Sequence, residues 1–414
     1  MIVPRVRADL LDPNAPEGTE VVQLTEDPVP TCHIYMEAQI FAPDSRRFVL
    51  HRSATAHGPN REDPLHQYLI CDIEDNCALH PVTNERGAVA PSVSPDGRLL
   101  YYFLDELQPE TGRLTLKRVN LDGTERQDLV VIEGQLSGTP FRPTRIYPLS
   151  TISSDGKRLA MEVYLADGRT DPASFGLLVF DLAGASFELV HHGPSWLNMH
   201  PQYCRSTDPE ASHDLMIQEN HGNPHDPVKD TLRADIHCIR DDGTNFRNFP
   251  WGRDGNESCH GHQCWRGRST FAIGGTGTRT PNVRHLVESH AVPSAGHVGL
   301  ATPGGARNVL SREPGFPRTA HFATDIEGRR LVTDAEPYEE GGRVVLMDLG
   351  EPGRDPARNL TPLAWPRTDN PADSSPTHIH PFLSPDGSMA FFNSSESGIL
   401  QAYMIRGLRT RGNS

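Results

Sequence analysis

The sequence predicts an all-β fold, and three observations lead to that prediction. Glycine and proline each occur 36 times among 414 residues, which is typical of a chain with many turns. The apolar runs between them are short, such as "RFVL", "LLYYF" and "RVVLMDL", and suit strands better than long helices. A turn motif also recurs along nearly the whole chain, which indicates one structural unit repeated several times.

The recurring motif is a strand-to-strand turn of the "SPDG" kind. Copies end at Ser45, Gly97, Gly156, Pro209, Gly328 and Gly387, and "HQCWRGRSTFAI" supplies a seventh if Ser269 takes the glycine position. Seven turns spaced about 57 residues apart, with several strand-like runs in each interval, predict a seven-bladed β-propeller. The expected blades of this single domain start near residues 33, 88, 145, 198, 260, 319 and 378.

The outer strand of the last blade is missing from the C-terminal end of the repeat. Six blades are followed by a similar run, such as "RQDLVVI" or "ARNLTPL", but the seventh is not. A matching segment, "EVVQLTED" at residues 20–27, precedes the first blade instead. We therefore expect this N-terminal strand to complete blade seven and close the ring, which leaves no open sheet edge.

Histidines concentrate at the places where the first strand of each blade should line the central channel. Counting back seven residues from each turn gives Ala38, Ala90, Leu149, Gln202, His262, His321 and His380. Counting back nine gives Met36, Ala88, Tyr147, His200, His260, Thr319 and His378. Because strand side chains alternate, both sets should share one face. Blades four to seven would thus project six of the chain's 20 histidines and a glutamine toward one mouth.

Converging neutral imidazoles are typical ligands of divalent transition metals. The pair His378 and His380, two residues apart on one strand, would supply two ligands, and His321 on the adjacent blade a third. The seven cysteines allow a competing site, a structural zinc between blades four and five. It would use Cys204, Cys259 and Cys264 with Cys238 or His260. Buried unliganded thiols are the other interpretation.

Charge and composition limit the partners. The formal net charge of −15 argues against a nucleic-acid-binding surface. Mean hydropathy is −0.50 and no apolar run has the about 20 residues that span a bilayer, so no membrane partner is expected. The N-terminal residues lack a secretory signal pattern, and the odd number of cysteines, seven, favours reduced thiols. A cytoplasmic location is the expectation.

The sequence resembles the oligogalacturonate lyase family, seven-bladed propellers that cleave short uronate oligosaccharides by β-elimination. The likeness covers nearly the whole chain in blade layout and is sharpest in "NMHPQYCRSTDP", "ENHG", "GHQCW", "HFATDIEG" and "HIHPFLSPDG". It implies that His262 is the catalytic base. It also implies that His321, His378 and His380 hold a metal ion, typically manganese, with zinc as the other candidate.

Further roles follow from the same resemblance. Arg233 matches an arginine of the family upstream of the base. Apart from the resemblance, the expected positions of five residues would let them contact the hydroxyls or carboxylates of an acidic oligosaccharide substrate: Tyr147, His200, Gln202, His221 and the loop histidine His57. Ser375 stands where the family has a glutamine ligand, which keeps other metals and other uronate-containing glycans open.

Two other classes of protein fit parts of the pattern. One is a non-catalytic, metal-containing propeller that binds a protein or glycan partner. The other is the propeller of a serine peptidase, which shares "SPDG" repeats. That class needs a G-x-S-x-G nucleophile motif, which does not occur in the 414 residues.

Overall fold

The protein, a computed structural model, consists almost entirely of antiparallel β-strands. The structure describes residues 4–53, 63–226, 233–252, 257–278, 283–294, 306–311, 316–353, 358–368 and 378–408. Helical structure in these ranges is confined to three short 3-10 turns, Ala8–Leu10, Ala211–His213 and Tyr338–Glu340. Within the same ranges, no helix has the length and apolar character needed to cross a bilayer.

Consecutive strands pair into units, numbered here in chain order. Unit one is β3 Thr31–His33, β4 Arg47–Arg52, β5 Gln67–Asp72 and β6 Ala78–Pro81. Unit two is β7 Ala88–Val93, β8 Leu99–Asp105, β9 Arg113–Asn120 and β10 Gln127–Glu133. Unit three is β11 Arg142–Ile152, β12 Arg158–Ala166, β13 Ser174–Asp181 and β14 Ser186–Gly193. Unit six is β24 Thr319–Thr324, β25 Arg330–Ala335, β26 Arg343–Asp348 and β27 Arg358–Ala364. These four units are separate four-stranded antiparallel sheets, which are typical of propeller blades.

Units four and five share one nine-stranded sheet. Unit four is β15 Gln202–Tyr203, β16 Asp214–His221, β17 Arg233–Arg240 and β18 Arg247–Asn248. Unit five is β19 Glu257–Trp265, β20 Ala272–Thr278, β21 Val283–Ser289, β22 Val292–Pro293 and β23 Asn308–Val309. The two units meet where Ala234 of β17 pairs with Cys259 of β19, and where β18 pairs with β22.

Unit seven has five strands and includes the N-terminal segment. It consists of β28 Phe382–Leu383, β29 Ala390–Ser394 and β30 Gln401–Arg406, with β2 Glu20–Gln23 and β1 Arg5–Val6 outside them. Glu20 lies opposite Arg406 and Gln23 opposite Tyr403. Arg7 then binds Glu396 through two hydrogen bonds of 2.5 and 2.9 Å. The N-terminal strand therefore lies at the outer edge of this unit.

The repeated motif forms the tight turn between the first and second strands of a unit. The N–H of Gly97 donates to the carbonyl of Ser94 at 2.8 Å, and the N–H of Gly387 donates to that of Ser384 at 2.9 Å. Both glycines have a positive φ, +68° and +67°, which glycine adopts without a side-chain clash. The motif thus fixes where each first strand ends.

Buried apolar side chains fill the space between successive units. One cluster joins units two and three around Phe103 and Phe180, whose ring centroids are 5.2 Å apart. Another joins units one and seven, where the centroids of Phe48 and Phe391 are 4.9 Å apart. The core is therefore a series of layers between sheets.

The predicted register of unit four is wrong by two residues. The backbone N–H of Cys204 donates to the backbone carbonyl of Asp214 at 2.8 Å. In unit seven, the N–H of Ser384 donates to the carbonyl of Met389 at 2.9 Å in the same way. Cys204 is therefore equivalent to Ser384, and His200, not Gln202, is equivalent to His380. The 3-10 turn at Ala211–His213 lengthens this connection, so "STDP" does not mark the turn position.

The first strands are also less regular than strict alternation predicts. The pairing register shifts between Val89 and Ser92, Ile146 and Ser150, Cys259 and Gln263, and Thr319 and Phe322. Each shift lies at or next to the position seven residues before the turn, and such bulges redirect side chains. In unit seven the paired strand begins only at Phe382, so the predicted location of His378 and His380 on that strand is wrong. His380 has a φ of +43° and its equivalent His200 one of +48°.

Candidate active site

Six predicted site residues line one open cavity of about 370 Å³. These are Tyr147, His200, His262, His321, His378 and His380. A second cavity of about 270 Å³ lies by the repeated turns, and no histidine of the described residues lines it. Five of the predicted site histidines thus lie together in the first cavity.

Three histidines from two neighbouring units form a candidate metal centre in this cavity. The ligand nitrogens of His321, His378 and His380 all lie within 4.8 Å of one another. The ring centroid of His321 is 5.2 Å from that of His378 and 4.4 Å from that of His380. His321 and His380 are buried and His378 is half-buried. One ion can therefore contact all three rings.

Asp334 on the adjacent strand β25 orients His321. Its carboxylate accepts the Nδ1–H of His321 at 2.8 Å and the backbone N–H of the same residue at 2.7 Å. Asp334 is fully buried. Because Nδ1 carries the donated proton, the lone pair of Nε2 is available as a ligand, an arrangement common behind metal-bound histidines.

His262 lies beside the candidate metal centre. Its ring centroid is 4.4 Å from that of His321. Burial lowers the pKa of His262 well below the usual value for histidine, and the neighbouring imidazoles of His321 and His200 lower it further. The ring is thus neutral near pH 7 and able to accept a proton.

A hydrogen-bonded chain of three side chains forms another part of the wall. His200 Nδ1 is 2.7 Å from a carboxylate oxygen of Glu37, and its Nε2 is 3.1 Å from the hydroxyl of Tyr147. Burial lowers the pKa of His200, but the charge of Glu37 and its hydrogen bond more than offset this, so the pKa is raised. The chain therefore holds the Tyr147 hydroxyl at the cavity.

Sequence reasoning missed several cavity residues from unit one. Tyr35 packs against three of the histidines, with centroids 5.5 Å from His200, 6.4 Å from His321 and 4.7 Å from His380. His33 and His51 also line the cavity. Tyr35 precedes a turn in which the N–H of Ala38 donates to its carbonyl. No motif spacing marks this turn, so the sequence carries no signal for these residues.

Other predicted site residues lie outside this cavity. Gln202 is buried in β15 and donates to the carbonyl of Gln263 at 2.9 Å, so it does not line the cavity. His221 is buried and bound to Asp226 at 3.0 Å. Arg233 begins β17, but its side chain is not among the described parts. His57 and Ser375 lie outside the described residues.

The cysteine-based zinc site is not formed. The two groups of closely spaced metal-ligand atoms in the described residues contain no cysteine. All seven cysteines are buried, and none forms a disulfide. Burial raises the pKa of both Cys204 and Cys264 to about 12, so each keeps its proton. Cys204 also lies two residues further along the first strand than predicted, because of the register difference in unit four.

The fold and the cavity together define a β-propeller with a histidine-lined site. No family model and no curated protein matches the sequence. Solved structures do: an oligogalacturonate lyase in complex with manganese is 19% identical, with a TM-score of 0.70 over 98% of this chain and 96% of that one. An oligogalacturonate lyase from Vibrio parahaemolyticus is 16% identical, with a TM-score of 0.69 over 98% of this chain and 97% of that one. The chain thus has the fold of the oligogalacturonate lyases.

Proposed function

We propose that the protein is a lyase that cleaves a uronate-containing oligosaccharide by metal-assisted β-elimination. The observation that carries this proposal is the grouping of His321, His378 and His380 within 4.8 Å, next to the neutral imidazole of His262. A cation site beside a base is what the abstraction of a proton next to a carboxylate requires. The shared fold with oligogalacturonate lyases supports the same class of reaction.

The three imidazoles suit a divalent first-row cation, which we propose to be manganese, with zinc as the alternative. The carboxylate of Asp334 fixes the tautomer of His321, as expected for a metal ligand. A cation held by the three histidines would supply positive charge to a uronate carboxylate, which makes the adjacent C5 proton more acidic.

His262 is the proposed base. In the elimination it takes the C5 proton, the electrons of the C5–H bond form the C4=C5 double bond, and the C4–O4 bond breaks. The leaving oxygen keeps that bonding pair and then takes a proton. Tyr147 and His200, which line the same cavity, are proposed to bind a sugar hydroxyl or carboxylate. Arg233, at the start of β17, is proposed to pair with a substrate carboxylate.

The substrate class is tested with purified, manganese-loaded protein and a panel of uronate oligosaccharides, starting with oligogalacturonates. Absorbance of the unsaturated uronate product should increase with time. If no uronate glycan yields that product, the lyase proposal fails, and a metal-containing propeller that binds a protein or glycan partner takes its place.

The base is tested with His262→Ala. Turnover should fall by about a hundredfold or more, the usual cost of losing a positioned general base, while the metal and the fold are kept. His260→Ala is the matched control, because His260 is on the same strand but does not line the cavity. A His262→Ala protein with the wild-type rate would place the base elsewhere.

We also propose that the units form one closed ring of seven blades. Support comes from the pairing of β2 with β30 and from the cluster of buried side chains that joins units one and seven. In addition, the backbone N–H of His33 donates to Asn393 at 2.7 Å. These contacts link the first unit to the last.

A further inference from the structure

We propose that the protein has a second, buried site for a divalent transition-metal cation, formed by Glu219, His221 and Asp235 of unit four. One ligand atom from each residue lies within 4.8 Å of the other two. Glu219 and Asp235 face each other as direct partners of β16 and β17, and His221 follows Glu219 by two residues on the same face. The site shares no residue with the histidine-lined cavity.

The imidazole of His221 is aimed into this group. Its Nδ1 is 3.0 Å from the carboxylate of Asp226, which fixes Nδ1 as the donor. Its Nε2 faces Glu219 at 3.5 Å and Asp235 at 3.4 Å. The side chain is 1% exposed, and among the described residues Nε2 has no partner in hydrogen-bond geometry. His221 thus repeats the arrangement of His321 with Asp334.

The distances from His221 Nε2 to the two carboxylates fit shared coordination of one ion better than direct hydrogen bonds. Ligands about 2.1 Å from a tetrahedral zinc or similar cation lie roughly 3.4 Å from one another, close to the separations of His221 Nε2 from both carboxylates. Burial lowers the pKa of His221, but the hydrogen bonds and charges of Asp235 and Glu219 more than offset this and raise it. Without an ion, a proton on Nε2 would therefore face the two carboxylates, and a bound cation would take the place of that proton. One imidazole and two carboxylates form a donor set that suits zinc or manganese.

The surrounding charges favour a cation. The side chains of Glu219, Asp226 and Asp235 are all less than a tenth exposed. Nearby, His237 lies 3.2 Å from Glu219, and Ser195 donates to the other oxygen of Glu219 at 2.5 Å. Three buried carboxylates make this pocket favourable to positive charge, and a divalent ion would add two units of it.

The position of the site gives it a structural role. His221 lies opposite Arg233 in the strand pairing, so the ion would join the end of β16 to the beginning of β17. It would thereby fix the backbone that carries the proposed substrate-binding arginine. The site does not depend on the lyase proposal, because a cation there is detected without any substrate.

The proposal is tested by the metal content of protein dialysed against excess Mn²⁺ or Zn²⁺ and then freed of unbound metal. Wild type should hold two equivalents, and His378→Ala/His380→Ala should hold one. Adding Glu219→Gln/Asp235→Asn to that variant should remove the remaining equivalent. The charge-matched control adds Glu188→Gln/Glu210→Gln to the same His378→Ala/His380→Ala protein. It changes two exposed carboxylates and should keep the remaining equivalent of metal. A His378→Ala/His380→Ala protein without metal would overturn the proposal and indicate a protonated His221 paired with the carboxylates.

A second measurement needs no change in unit four. The His378→Ala/His380→Ala protein should melt at a higher temperature with Mn²⁺ or Zn²⁺ than after treatment with a chelator, because a ligand of the folded state alone stabilises it. Identical melting temperatures would also overturn the proposal.

Discussion

At the scale of single residues, buried carboxylates determine how the histidines present their nitrogens. Asp334 binds Nδ1 of His321 at 2.8 Å, Glu37 binds that of His200 at 2.7 Å, and Asp226 binds that of His221 at 3.0 Å. In each case Nε2 is the nitrogen directed away from the carboxylate. For His321 and His200, which line the cavity, the nitrogen that is presented is therefore set by carboxylates that do not line it.

Asp334→Asn should weaken metal binding at the first site about 10- to 100-fold, the usual effect of losing a partner behind a ligand. The asparagine NH₂ group can donate to Nδ1, which would move the ring proton to Nε2 and remove its lone pair. Isothermal titration with Mn²⁺ measures the change. Asp122→Asn, in an exposed turn, is the control, and equal affinity of both variants would contradict the role of Asp334.

Glu162 should make the free energy of unfolding depend on pH. Burial raises its pKa to about 8, against about 4.3 in an unfolded chain. Between these values the folded state holds a proton that the unfolded state has lost, so the contribution of Glu162 to stability is fully present below about pH 4 and is lost as pH rises to 8.

Glu162→Gln should remove the pH-dependent loss of unfolding free energy that comes from Glu162, which is on the order of a few kcal/mol. The variant also loses one of two acceptors for the N–H groups of Asn198 and Met199, so it should be less stable at low pH. Urea unfolding at pH 5 and pH 8 compares the two proteins. Parallel losses of stability would show that Glu162 does not titrate in this range.

At the scale of elements, the turn motif made the strand order predictable, but the local irregularities were not. Spacing from the turns identified His262, His321 and His380, because the turn fixes the end of each first strand. It could not identify Asp334, which lies 2.8 Å from His321 through the pairing of β24 with β25. It also failed in unit four, where an inserted 3-10 turn changes the count. Contacts that depend on register or on an inserted loop are not encoded in motif spacing.

A buried ion pair within unit five is also hydrogen-bonded to the backbone of unit six, and breaking it should be costly. Arg266 and Glu288 have fully buried side chains and form a salt bridge. Arg266 also donates to the carbonyl of Gly328 at 2.8 Å, in the turn of unit six. Arg266→Met should lower the free energy of unfolding by about 3–5 kcal/mol, because it leaves Glu288 buried without its partner.

The double variant Arg266→Met/Glu288→Gln is the control for this effect. It should be more stable than Arg266→Met alone, since no unpaired charge remains. Denaturant unfolding of wild type, Arg266→Met, Glu288→Gln and the double variant gives the comparison, and a double variant that loses the sum of both single effects would exclude a coupled pair.

At the scale of the whole molecule, the N-terminal strand should hold the ring together. Val21 and Val22 are buried and belong to different core clusters on the two sides of unit seven. Deleting residues 1–27 removes both and exposes the edge of β30. The melting temperature should fall by on the order of 10 °C or more, given about 1.5–3 kcal/mol for each buried aliphatic side chain.

Val6→Ser is the control for that deletion, because Val6 is 49% exposed and should tolerate the change. Differential scanning calorimetry measures both proteins. A truncated protein that melts like the intact one would argue against closure by this strand.

The equivalent first-strand positions also bear on how new activities could be engineered into this scaffold. Four successive units place a histidine at the same position, whereas the other three have Ala38, Ala90 and Leu149. Leu149 already lines the cavity, and its position follows the same strand irregularity that directs His262 and His321. A single substitution at this position therefore decides whether the first strand of a unit presents a histidine or an apolar side chain. Leu149→His would add a nitrogen donor to the lining of the cavity from unit three, without any change to the repeat itself.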